Sequence, residues 1–87
     1  MTLSIKHSDA PRGAFAEYKY EIFDGTRLVA YYFHDYRGDE HWIEFVGGSS
    51  EDWPVGRMID FIEGGGPSPL RLSPVAVAYL EQKLASE

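Results

Sequence analysis

The chain has 87 residues, 44% hydrophobic and 15% aromatic, with 14 acidic against 8 basic side chains, a net charge of -6 and no cysteine. That apolar content excludes a disordered chain, and the missing thiols exclude zinc ribbons, iron–sulfur centres, cysteine nucleophiles and a disulfide-stapled scaffold. The acidic balance argues against a general affinity for phosphate backbones, which needs clustered Lys and Arg.

One domain, residues 1–87, is expected. A domain of this length buries only about 60–65% of the surface its unfolded chain exposes. Aromatics therefore carry much of the core, each removing roughly 150–250 Å² from water. The opening Met-Thr-Leu-Ser-Ile-Lys-His has no basic segment followed by an apolar run, and no stretch nears the ~20 apolar residues of a membrane span. These features point to a cytoplasmic protein with no membrane partner.

A first strand at about Leu3 to His7 is expected to add to a sheet edge, with Asp9 to Gly13 as its connecting turn. Residues 15–23 then alternate: Ala16, Tyr18, Tyr20 and Ile22 on one face, Glu17, Lys19 and Glu21 on the other. That period of two is a strand with one buried face. Asp24-Gly25 is a strong hairpin signal, because a type I′ turn needs positive φ at both central residues. With Asp24-Gly25 central, Tyr20 falls opposite Val29, Tyr18 opposite Tyr31 and Ala16 opposite Phe33. The next strand, about Arg27 to Asp35, then buries Val29, Tyr31 and Phe33 and turns Tyr32 outward.

A third strand, about His41 to Val46, buries Ile43 and Phe45 and leaves Trp42 and Glu44 outside. A three-residue connection, Gly38 to Glu40, sets Phe33 opposite Phe45 and keeps the pattern. Gly47-Gly48-Ser49-Ser50 ends the meander. In Asp52 to Glu63, the residues Val55, Met58, Ile59 and Ile62 recur at helical spacing, against the cost of Pro54 and Gly56. A short helix is preferred there over an edge strand. Gly64 to Pro69 reads as a loop, and Leu70-Arg71-Leu72 as a short extended pairing. Ser73-Pro74 opens a last helix, from about Pro74 to Ala85, with an N-cap side chain and proline at the one free helical position. Its stripe is Val77, Leu80 and Leu84, flanked by Ala76 and Tyr79. The fold class is α+β: a three- to four-stranded antiparallel meander packed by a C-terminal helix, with a short second helix between.

Three groups of residues bear on function. Asp35, Asp39, Glu40, Glu44, Glu51 and Asp52 are offset only by Arg37 between positions 35 and 52. Such a cluster can steer a basic protein surface, although a solvated hairpin tip has the same composition. Tyr32 and Trp42 fall on the face opposite the expected core, and aromatics beside acids are typical of interaction surfaces. They become core instead if a helix covers that face. His34 and His41 flank the Asp35 to Glu40 turn. With nearby carboxylates they could ligate a metal, but the expected register turns His34 outward and His41 inward, so they do not converge.

Arg37-Gly38-Asp39 is a chance tripeptide, and the glycines at 64–66 lack the context of a phosphate loop. No nucleophile or base is identifiable. The chain reads as a small acidic binding or inhibitory protein that docks on a macromolecular partner through Tyr32, Asp35, Asp39, Glu40, Trp42 and Glu44. One version blocks a basic nucleic-acid-handling protein, in the manner of a phage-encoded antagonist or an antitoxin. No cofactor and no direct nucleic-acid contact are expected. The alternatives are a small enzyme or metal-dependent accessory protein using His34 and His41, and a homodimeric module.

Overall fold

The computed structural model describes residues 2–8, 18–35, 40–52, 60–65 and 67–85. In chain order the elements are β1 (Leu3–His7), β2 (Tyr18–Asp24), β3 (Arg27–His34), β4 (His41–Phe45), β5 (Ser50–Asp52), β6 (Ile62–Gly65), β7 (Ser68–Leu72) and α1 (Pro74–Ala85). The fold is α+β: an antiparallel five-stranded sheet in the order β1-β2-β3-β4-β5, a separate β6–β7 pair, and the helix.

The larger sheet has more strands than the three or four expected, because the chain after Gly48 turns back as β5. Phe45 donates its N–H to the Ser49 carbonyl at 2.8 Å, and Gly48, at φ 108°, permits the turn. The helix expected over Asp52 to Glu63 is corrected at both ends. Asp52 closes β5, and Ile62 and Glu63 belong to β6; residues 53–59 lie outside the described residues, as does the Asp9 to Gly13 turn. The loop expected over Gly64 to Pro69 is largely a hairpin. Glycines with positive φ at positions 64 and 65 carry a register shift, after which Gly65 pairs with Ser68.

The β2–β3 hairpin forms where expected, but its tip is displaced by one residue. Gly25 and Thr26 are central and Asp24 pairs with Arg27. Gly25, at φ 63°, takes the first central position, as turns with glycine first require. A bulge follows, since Phe23 pairs with Leu28 and Ile22 with Ala30, which leaves Val29 as the extra residue. Moving the tip by one residue shifts the pairing by two and keeps the faces, whereas the one extra residue of the bulge exchanges them from Ala30 onward. Ala30, Tyr32 and His34 therefore point into the core, and Tyr31 and Phe33 are carried to the other side. The bulge keeps Val29 buried as well.

The β3–β4 register also differs from the expected Phe33–Phe45 pairing. Phe33 lies opposite Trp42, Tyr32 opposite Ile43 and His34 opposite His41. The connection thus runs from Asp35 to Glu40, where the Asp35 N–H donates to the Glu40 carbonyl at 3.0 Å. This register sets the buried residues of β3 against the buried Ile43 and Phe45.

The helix begins as its sequence requires. Ser73 Oγ accepts the N–H of Ala76 at 3.1 Å and donates to the Asp60 carbonyl at 2.6 Å, so one hydroxyl caps α1 and ties it to the segment before β6. Ala76 and Leu80 are buried, with Val77, Tyr79 and Leu84 packed partly against the core. That core sits between the inner sheet face (Ile5, Tyr20, Ile22, Tyr32, Ile43), the helix, and Phe61, Ile62 and Leu72. Among the described residues, no helix is long and apolar enough to cross a membrane.

Candidate functional site

The sheet has two unlike faces. The inner one is covered by α1 and the β6–β7 pair. On the outer one, Phe23 of β2, Tyr31 and Phe33 of β3, and Trp42 of β4 are each part-exposed and stand outside the core cluster. They are held in fixed relation. Phe33 and Trp42 stack with centroids 5.1 Å apart and planes 8° from parallel, and Tyr31 lies 6.3 Å from Phe33. Lys19 Nζ sits 4.4 Å from the Tyr31 centroid and 5.8 Å from that of Phe33, and Lys6 Nζ lies 5.2 Å from Phe23. Each such cation–π contact at an exposed site contributes about 0.5–1 kcal/mol. The Trp42 Nε1–H donates to Glu44 Oε2 at 3.0 Å, fixing the indole's rotation. The result is a preorganised aromatic platform edged by charge.

The end of the inner face formed by β2, β3 and β4 is polar. Tyr20 and His34 share a hydrogen bond of 2.8 Å, and Tyr32 and His41 one of 2.9 Å. His34 Nδ1 is 2.7 Å from the Asp35 carbonyl oxygen, which can only accept. The proton of neutral His34 therefore sits on Nδ1, and Nε2 accepts from the Tyr20 hydroxyl. His34 and His41 are 4% and 8% exposed, so the imidazoles expected on opposite faces share one face and are both buried. Burial is the main cause holding the His34 pKa below its ordinary value, with His41 and His7 adding to it; the Asp35 carbonyl and carboxylate act the other way. Burial, with the nearby Tyr20, pushes the Tyr32 phenol well above its usual range, so Tyr32 is a neutral hydrogen-bonding group. Both ring nitrogens of His34 are committed to protein partners. Among the described residues, no group of three or more His, Asp or Glu side chains converges as a metal site would need.

The residues expected to dock a partner are dispersed. Tyr32 is fully buried, against the expectation of an outward ring, because the bulge at Val29 turns it inward. Trp42 is on the outer face as expected, and Glu44 beside it is exposed. Glu40 is exposed at the end of the β3–β4 connection and Asp35 is part-buried, while Asp39 lies outside the described residues. Glu51 leaves the acidic patch altogether. It lies opposite Ile43, on the inner side, where Tyr79 donates to Oε2 and Lys83 Nζ is 3.0 Å from Oε1. Those bonds, Tyr79's first, hold its carboxyl below the usual value.

Sequence reasoning missed Tyr31 and Phe33 as outer-face residues and the Tyr–His corner as a unit. Gly25 first in the turn, before Thr26, moves the pairing by two and keeps the expected faces. It is the extra residue at Val29, unmarked by any local pattern in β3, that turns Tyr31 and Phe33 outward and Tyr32 and His34 inward. Comparison of the chain with protein-family models, with curated proteins and with solved structures finds no match.

Proposed function

We propose that the protein is a docking protein whose binding surface is the outer face of the five-stranded sheet, centred on the stacked Phe33 and Trp42. The observation that carries this reading is the ordered, part-exposed aromatic set Phe23, Tyr31, Phe33 and Trp42 on the face that α1 does not cover. Rigid aromatic rings bury large area on binding with little loss of side-chain entropy, which is why Tyr and Trp dominate interface hot spots. The partner is a protein presenting apolar and basic side chains. The exposed Glu40 and Glu44 beside Trp42, and the net charge of -6, complement such a surface and speed its encounter. Two members of the sequence-derived set, Trp42 and Glu44, remain at the centre, with Glu40 at the rim; Tyr32 is replaced by Tyr31 and Phe33.

The test is affinity capture followed by a measured Kd, comparing the unaltered chain with Phe33→Ser/Trp42→Ser and with Glu40→Lys/Glu44→Lys. Far-UV circular dichroism checks that each variant keeps its fold. Loss of the aromatic pair is expected to weaken binding by about 2 kcal/mol or more, the scale of a hot-spot residue. The charge reversal is expected to act mainly on the association rate and its salt dependence. A partner bound equally well by a folded aromatic variant moves the interface away from this face.

A further inference from the structure

Beneath the Phe33–Trp42 stack lies the Tyr–His corner, and the two are adjacent rungs of one ladder: Phe33 pairs with Trp42, and His34 with His41. We propose that His34 is a proton-operated release for this corner, whose protonation breaks the buried Tyr20–His34 arrangement, loosens the His34–His41 rung and unsettles the aromatic platform on the other side of the strands. The inference concerns the free chain and requires no partner.

Neutral His34 is fully satisfied, with Nδ1–H on the Asp35 carbonyl and Nε2 receiving the Tyr20 hydroxyl proton. An added proton has only Nε2 to occupy, the position at which that hydroxyl is aimed. Tyr20 must then turn round to accept, so each proton taken up both charges a buried ring and reverses a buried hydrogen bond.

Among the described residues, the titratable groups around the ring are few. From β2 come Tyr18, stacked on it at 4.9 Å, and Tyr20; from β4, His41; from β1, His7; and from its own strand and the residue after it, Tyr32 and Asp35. Asp35 is the only acid among them, and its help is outweighed by burial.

The corner is also short of one hydrogen bond already. His41 Nε2 is buried with no partner among the described residues. The arrangement leaving fewest groups unmet has Tyr32 donating to Nδ1 and an Nε2–H without an acceptor, a deficit of about 1–3 kcal/mol. A region carrying such a deficit is where a sheet opens first.

The sign of the pH effect follows. His34 binds its proton less tightly in the folded chain than in an opened one, where the ordinary value is 6.5. The contribution to stability is complete above that value and is lost as pH falls through the folded one.

Nuclear magnetic resonance between pH 7.5 and 5.0 tests this above the range of ordinary carboxylates. The His34 ring is expected to titrate below 6.5, with the Trp42 indole signal moving at the same midpoint. Amide exchange in β3 and β4, corrected for its intrinsic rate, should rise as pH falls, by up to about tenfold per pH unit. In His34→Gln the Trp42 response should be flat. In Asp35→Asn, which retains the histidine and removes its favourable charge, the midpoint should move to lower pH. A His34 ring that titrates at or above 6.5, or a Trp42 response unchanged in a folded His34→Gln, overturns the proposal.

Discussion

Tyr32 and Phe61 lie face to face, with ring centroids 3.9 Å apart and planes 9° from parallel, and both are fully buried. This stack joins the middle strand of the five-stranded sheet to the residue just before β6, and so holds the β6–β7 pair to the larger sheet. Phe61 also accepts the N–H of Ser73 on its carbonyl at 2.8 Å, which brings the start of α1 to the same point.

Phe61→Ala should therefore be among the most damaging single changes. The loss of a buried ring and the cavity left behind cost about 3–5 kcal/mol, a large share of the stability of so small a domain. Urea unfolding followed by near-UV circular dichroism would show the midpoint collapse. Tyr32→Phe keeps the stack but removes the hydroxyl from His41, and should cost less.

The β6–β7 hairpin turns on one glycine. Gly64 has φ 82°, and a Cβ there would meet the Pro69 carbonyl oxygen. Gly65, at φ 94°, has open space around the same position. Both alanine variants carry backbone strain of about 1–3 kcal/mol, and only Gly64→Ala adds a clash with backbone. Thermal denaturation should rank Gly64→Ala clearly below Gly65→Ala; equal losses would mean that the hairpin yields at that contact.

Ser73→Ala removes both the cap on Ala76 and the bond to the Asp60 carbonyl. The cap alone is worth about 0.5–2 kcal/mol, and leaving the Asp60 carbonyl short of a donor adds to the loss. Ser73→Asp keeps the cap and loses the donor. The difference between the two variants in urea unfolding therefore separates the contributions.

Glu51 fastens β5 to α1 through Tyr79 and Lys83. Its carboxyl is held below the ordinary 4.5, first by the Tyr79 hydrogen bond and then by that from Lys83. A depressed carboxyl stabilises the fold above its ordinary value, and that stability is lost as pH falls through the folded value. Glu51→Gln should flatten the fall in melting temperature below about pH 4.5 while leaving the His34-dependent change, which begins as pH falls below 6.5, in place. An unchanged acid limb would show that the clamp does not contribute.

Much of this architecture is local and was open to a reader of the sequence. The alternation from Tyr18 to Ile22, the Ser73-Pro74 start and the apolar stripe of α1 each specify an element from neighbouring residues, and strand, cap and helix stand where they were expected. The inner and outer residues of β4 were legible for the same reason. What the tertiary structure decided was register. Asp24-Gly25-Thr26 admits two placements of its glycine that differ by two in pairing and keep the same faces, and it is the bulge at Val29 that assigns the rest of β3 to one face or the other. The observed placement, with its bulge at Val29, buries Ala30 and Tyr32 together and sets Tyr32 against Phe61, nearly thirty residues away. That contact is a property of the packed molecule, invisible to any local pattern. By the same bulge, two histidines that the sequence separates became a buried pair, and Tyr31 and Phe33 became the outer platform.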